Sequence, residues 1–142
     1  MLKVLIAIDG SDHARHAIEV AARLARDVPA LDVVLLNVRE PFGYQGGFPP
    51  YDFEALERGA RAQQQRLLDE AMTQARANGL RQVATQSAVG SPAKEIVREA
   101  VERDVDEIIM GTRGMNALAG LLVGSVAQRV LHLATVPVVL VK

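Results

Sequence analysis

The stretch Ile108-Ile109-Met110-Gly111-Thr112-Arg113-Gly114, followed after nine further residues by Gly124-Ser125-Val126-Ala127-Gln128, decides how this chain is read. A short apolar run is broken by two glycines, and a helical pattern opens at Ser125, so the order is strand, glycine loop, helix. Glycine permits positive φ and lets a ligand approach the backbone with no Cβ in the way, so successive amides can turn inward on an anion. Ser125 and Gln128 have the spacing of a capping box, a serine N-cap with a glutamine reaching back to it. This spacing predicts a helix starting at Ser125. The amides of Val126 and Ala127 then lack intrahelical partners and stand at the positive end of the macrodipole, which suits a phosphate.

Outward from that segment, Leu2 to Ile8 and Val33 to Val38 are nearly continuous apolar runs, the pattern of strands buried on both faces of a parallel sheet. Between them, Asp12 to Asp27 carries Ile18, Ala21, Ala22, Leu24 and Ala25 at helical spacing with Arg15, Glu19, Arg23 and Arg26 opposite, and Pro29 follows as a stop. Pro41 to Tyr51 reads as a long Pro/Gly/aromatic loop inserted over the site. A helix is expected from about Phe53 to Ala77, with Leu56, Ala60, Leu67, Ala71 and Ala75 as its stripe, closed by Asn78-Gly79. Arg81 to Val89 predicts a third strand, and Ser91-Pro92 an N-cap and first-turn proline for a helix through Ile96, Val97, Ala100 and Val101. Asp106 to Met110 makes a fourth strand. The Ser125 helix ends near Ala134, because Pro137 restricts Val136, and Val138 to Val141 makes a fifth. Such alternation implies an α/β fold, a doubly wound parallel sheet with right-handed crossovers, whose ligands bind outside the carboxyl ends of the strands at the topological switch point. Asp9 lies at one such end and Gly111 at another.

At 142 residues the chain is expected to form one domain, 1–142, with no repeat or linker. A net charge of -1, with 23% charged and 49% hydrophobic residues, gives no electrostatic reason to expect nucleic acid or an anionic membrane as partner. The chain has no cysteine, which removes disulfides, thiol redox chemistry and cysteine-ligated zinc, and fits a cytoplasmic setting. The apolar N-terminus reads as a first strand rather than a leader, and no run approaches the length of a membrane span.

Two common phosphate fingerprints are absent. There is no Gly-x-x-x-x-Gly-Lys-Ser/Thr, and Ile8-Asp9-Gly10-Ser11 stands after the first strand where a dinucleotide-binding domain carries Gly-x-Gly-x-x-Gly. The pattern Gly111-x-x-Gly114, nine residues, Gly124-Ser125 does match the nucleotide loop of the universal stress protein family, and the chain resembles that family throughout. Lys3 to Ser11 resembles its opening strand with its Asp, Leu35 to Val38 its second strand, Val89-Gly90-Ser91-Pro92 its third turn and Val136 to Val141 its last strand. The resemblance implies a five-stranded flavodoxin-like sheet of order 3-2-1-4-5 and, in members with the full glycine pattern, bound ATP, with or without Mg²⁺. By position, Ala7 and Asp9 would contact the adenosine and the backbone of Val38 the adenine edge. Gly111, Thr112, Arg113, Gly114, Met115 and Asn116 would line ribose and phosphates, with Gly124, Ser125, Val126 and Ala127 closing round them. Arg113 stands where the motif is variable, so the backbone cradle is the stronger expectation.

Blander readings stand beside these. The glycines could serve only the turn, and Asp9 could bond only to its own loop in the manner of an Asx turn. His13 and His16 are three apart on one helix face with no third ligand evident, and read as solvated, as does His132. Met72 reads as core packing. Besides Asp9 and Arg113, no acid, base or lysine stands in the motif segments, so the chain is expected to hold ATP and regulate, with at most slow hydrolysis. The rivals are an adenine-nucleotide hydrolase or nucleotidyl-transfer enzyme with Asp9 holding Mg²⁺, and a nucleotide-free dimeric scaffold. The fifth strand is apolar with no charge until Lys142, and it predicts a homodimer through Pro137 to Val141.

Overall fold

The computed structural model describes residues 1–42, 50–114 and 123–142, and for residues 50 and 51 the backbone only. Among the described residues nine elements alternate: β1 (Leu2–Ala7), α1 (Asp12–Asp27), β2 (Leu31–Arg39), α2 (Pro50–Ala77), β3 (Gln82–Val89), α3 (Pro92–Glu102), β4 (Glu107–Gly111), α4 (Ser125–Leu133) and β5 (Val138–Val141). The strands form one parallel sheet in the order β3-β2-β1-β4-β5. Order therefore reverses between β1 and β4, and the expected doubly wound sheet is the one observed.

Side-chain alternation along each strand builds a core on either face. Val4 and Ile6 of β1, Val33 and Leu35 of β2 and Ile109 of β4 pack with Ala17, Ile18 and Ala21 of α1 and Leu68, Ala71 and Ala75 of α2. Leu5, Leu36, Ile108 and Met110 turn the other way, against Ala93, Ile96 and Ala100 of α3 and Ala127 and Val130 of α4. Leu5, Ile6, Leu35, Ile108 and Ile109 are wholly buried. Each such side chain stabilises the fold by roughly 1.5–3 kcal/mol relative to exposure, which explains why central strands are apolar on both faces.

Helix ends follow local chemistry. Ser11 caps α1, its Oγ accepting from the Ala14 amide at 3.2 Å, and Asp12 suits the positive first turn. Gly79, at φ +92, closes α2 while the Leu80 amide bonds back to the Ala75 carbonyl. Ser91 occupies the N-cap of α3 ahead of Pro92, but its hydroxyl makes no capping bond.

Two expectations about α2 are corrected. The helix starts at Pro50 rather than near Phe53. Proline is well suited to a first turn, where its missing N–H has no partner to lose, so Pro50 and Tyr51 leave the predicted loop, of which residues 43–49 lie outside the described residues. The stripe is also shifted. Leu56 is exposed and Leu67 only partly covered, whereas Leu68 and Gln64 turn inward. Gln64 is kept in the core by donating from Nε2 to the carbonyls of Asn37 and Ala88, each at 2.9 Å. That burial is tolerated because the amide is satisfied.

Candidate functional site

The carboxyl ends of β1, β2 and β4 open into a cleft of about 590 Å³ at the switch point, within the range of roughly 300–1,000 Å³ usual for small-molecule sites. Ala7, Asp9, Val38, Gly111, Thr112, Arg113, Gly114, Gly124, Ser125, Val126 and Ala127 all line it. Met115 and Asn116 lie outside the described residues. Residues that sequence reasoning did not assign to a site also line it, among them Arg39, Gln64, Leu67 and Ile96. Pro92, read only as a helix starter, is another.

One end of the cleft is apolar with an open backbone edge. Leu36, Pro92, Ile96, Met110 and Ala127 supply the apolar surface. Beside them the pairing of β1 with β2 runs out: the Ile8 amide donates to the Leu36 carbonyl at 2.7 Å, and Asn37 Nδ2 donates to the Ile8 carbonyl at 2.6 Å. Main-chain groups in a parallel strand alternate between neighbours, so Val38, two residues beyond Leu36, faces the same side where β1 has already turned away. Its N–H and C=O thus form a donor and acceptor side by side on the cleft wall. Arg39 points across to α2, where its guanidinium donates to both Glu57 carboxylate oxygens, at 3.2 and 2.7 Å. The Arg39 hydrogen bond holds the Glu57 carboxyl below its ordinary 4.5, against the opposing effect of desolvation.

The other end is built from loop backbone. Thr112 is buried, with its amide donating to the Val141 carbonyl at 2.8 Å and its carbonyl accepting from the Gly124 amide at 2.6 Å. The two glycine segments are stitched together through that residue. Two readings of this region are corrected. Gly124, extended at φ -70 and ψ 165, is the N-cap of α4, and Ser125 is its first helical residue. Gln128 does reach back, but its Nε2 donates to the Val123 carbonyl at 2.8 Å, so no capping box forms. The first helical bond runs from the Gln128 amide to the Gly124 carbonyl, which leaves the amides of Ser125, Val126 and Ala127 without helical acceptors.

The second correction concerns positive φ, one of the two properties for which glycine was expected here. None of Gly111, Gly114 and Gly124 has positive φ, so what they supply is space. A Cβ at Gly111 would stand 2.5 Å from His13 Cβ, and one at Gly114 would stand 2.7 Å from Asp9 Oδ2. One at Gly124 would meet only ordinary contacts, the Thr112 carbonyl oxygen at 3.4 Å and Arg113 Cα at 3.5 Å. Gly111 therefore serves packing, while Gly124 leaves free a position between the two segments.

Of the two roles weighed for Asp9, the local turn is the one observed. Its Oδ1 accepts from the Ser11 amide at 2.9 Å and the Ser11 hydroxyl at 2.5 Å, an Asx-type turn. Its Oδ2 makes no hydrogen bond among the described residues and faces Gly114 across the cleft. His13 backs onto Gly111, and His16 Nδ1 lies 2.9 Å from the Lys142 main-chain oxygen. Among the described residues no three His, Cys, Asp or Glu side chains form a metal-binding group.

Comparison with known proteins places this geometry. The model of the universal stress protein family matches residues 1–142. Universal stress protein YxiE of Bacillus subtilis is 32% identical over 146 residues, covering 99% of this chain and 98% of that one. The solved structure of hypothetical protein MJ0577 superposes with a TM-score of 0.86 at 27% identity, over 99% of this chain and 94% of that one. A universal stress protein from Archaeoglobus fulgidus, solved in complex with dAMP, superposes with a TM-score of 0.69 at 26% identity, over 100% and 98% of the two chains.

Proposed function

The chain belongs to the universal stress protein family, and from that premise we propose that it is an ATP-binding regulatory module of the stress response, with at most slow hydrolysis. The observation that carries this reading is one cleft with two unlike ends. The Val38 donor and acceptor pair, beside an apolar wall, matches the acceptor and donor on the edge of adenine. At the other end, the amides of Ser125, Val126 and Ala127 present the positive terminus of α4 to phosphates. A relative solved with dAMP supports an adenine nucleotide as ligand class. ATP is favoured because Gly111-x-x-Gly114, nine residues, Gly124-Ser125 is the full glycine pattern that the family resemblance links to bound ATP.

Mg²⁺ fits as a companion rather than a resident ion. Asp9 Oδ2 is the carboxylate oxygen available at the phosphate end, and phosphate oxygens would complete the ligand set. There the ion would neutralise phosphate charge. The chain's own residues bind and orient: Val38 the base, the α4 amides the phosphates, and Ser11 holds the Asp9 carboxylate in place. Among the described lining residues Arg39 is already committed to Glu57, and Asp9 is tied to Ser11 through Oδ1, so slow rather than fast turnover is proposed.

Two further parts of the proposal concern assembly and setting. β5 pairs with β4 along one edge. Since the Pro137 and Val141 carbonyls both serve the β4 side, the main-chain groups of Val138 and Leu140 point outward. A second copy paired there would make a two-fold dimer. The proposal sets the protein in the cytoplasm, which a sequence without cysteine fits; no described helix is long and apolar enough to cross a membrane.

The test is calorimetric titration of ATP, with mass spectrometry of whatever nucleotide co-purifies and light scattering for the dimer. One bound adenine nucleotide per chain is expected. Absence of both binding and co-purified nucleotide, with Gly114→Ala neutral, would instead favour the scaffold. Rapid phosphate or pyrophosphate release, abolished in Asp9→Ala, would make the protein an enzyme.

A further inference from the structure

A second hollow, of about 160 Å³, lies between α1 and α2 next to the nucleotide cleft. Ile8, Ser11, Ala14 and Leu67 line both. Three of these four are fixed. Ile8 is tied through its amide and carbonyl to β2, Ser11 caps α1, and Ala14 has only a methyl group. Leu67 is the long side chain in the partition, and it comes from α2, where its neighbour Leu68 takes the place in the core. It is also tightly seated. Its Cδ2 lies over Gly10, 2.8 Å from where a Cβ would stand, and the φ of +84 keeps that position glycine. Beyond Leu67 the hollow has an apolar floor of Ile18 and Ala71, rimmed by Glu70 and Gln74.

We propose that Leu67 is a specificity-determining residue of the cleft: it bars adenine nucleotides carrying a bulky apolar substituent on the side facing α1 and α2. The inference rests on the nucleotide reading of the cleft. With Leu67 shortened, the cleft and the second hollow join. The added space matches one aromatic ring, since a cavity of about 150 Å³ with apolar walls accommodates benzene. The ligand class rejected by the native protein and accepted by the opened one is thus an adenine nucleotide bearing a single benzyl-sized group.

The experiment measures affinities of ATP, N6-benzyl-ATP, 2-phenyl-ATP and 2′(3′)-O-benzoyl-ATP for the full chain and for Leu67→Ala, with Leu67→Val as a milder variant and thermal melts to establish folding. Native protein is expected to favour ATP over the substituted nucleotides. In Leu67→Ala the preference for ATP over at least one of them should fall by about tenfold or more, and in Leu67→Val by less, because filling or leaving empty such a pocket is worth about that factor per group removed. Equal affinity of native protein for all four nucleotides would overturn the proposal, as would an unchanged preference in both folded variants. Failure of native protein to bind ATP at all would overturn the nucleotide reading itself, and the ATP titration alone distinguishes that result.

Discussion

Gly124→Ala separates a cradle for phosphates from a loop that merely turns. The added methyl would lie 3.4 Å from the Thr112 carbonyl oxygen and 3.5 Å from Arg113 Cα, both ordinary contacts, and the backbone at φ -70 and ψ 165 is open to alanine. Alanine is a poorer N-cap than glycine by several tenths of a kcal/mol. Restricting the unfolded chain returns about 0.4–1 kcal/mol. The two nearly cancel, so stability should change by less than about 1 kcal/mol. Binding should not be spared, because the methyl enters the space between Gly114 and the α4 amides. Displacing a phosphate from one charge-assisted hydrogen bond costs about 1.5–3 kcal/mol, which is roughly 10- to 150-fold in Kd. Calorimetric titration of ATP into the two proteins, paired with urea melts, reads both quantities. Unchanged affinity in a folded variant would refute the cradle, and a loss of several kcal/mol in stability would show that Gly124 is structural.

Three further outcomes are expected. Gly111→Ala forces a methyl to 2.5 Å from His13 Cβ and 3.1 Å from its backbone carbon, and should cost about 1–3 kcal/mol as overpacking, measured by denaturant unfolding without nucleotide. Ser11→Ala removes the cap bond to Ala14 and the hydroxyl on Asp9, and should destabilise by about 1 kcal/mol in denaturant unfolding and weaken ATP binding in calorimetric titration by loosening the Asp9 carboxylate. Glu57 titrates below 4.5 in the folded protein. The Arg39 pair thus contributes stability that is present above the unfolded carboxyl value and lost as pH falls through the lower folded one. The stability difference between native protein and Glu57→Gln should therefore shrink on acidification, and a difference that grows would contradict the pairing.

The sheet was legible because its evidence is local. Val33 to Leu36 and Ile108 to Met110 could be soaked in apolar contacts on both faces only in a central parallel strand, and Pro137 placed the start of the last one. Helix boundaries were less so. Proline at residue 50 looked like loop chemistry although it equally begins a helix, and nothing in Gln63-Gln64-Gln65 marks the middle residue as the one that turns inward to bond two carbonyls. At the site, residue type pointed to the glycines and offered two reasons for them, of which clearance stands and positive φ does not, since the two cannot be told apart without neighbours. The open edge at Val38 is a matter of register, arising where β1 turns away before β2 ends, and valine as a residue carries no trace of it. Only the family resemblance singled it out. Leu67 was read as core because its helical phase differs from that of Leu68 by a single residue.

Thr112 carries a consequence of its own. Within one residue its amide is fastened to the end of β5 and its carbonyl to the amide of Gly124, the N-cap of α4. Thr112 is therefore a splice joining the last strand to the helix that follows. On the proposed reading, a phosphate bound at the start of α4 and a second copy paired on the outer edge of β5 would both bear on that one residue, a single rivet between them.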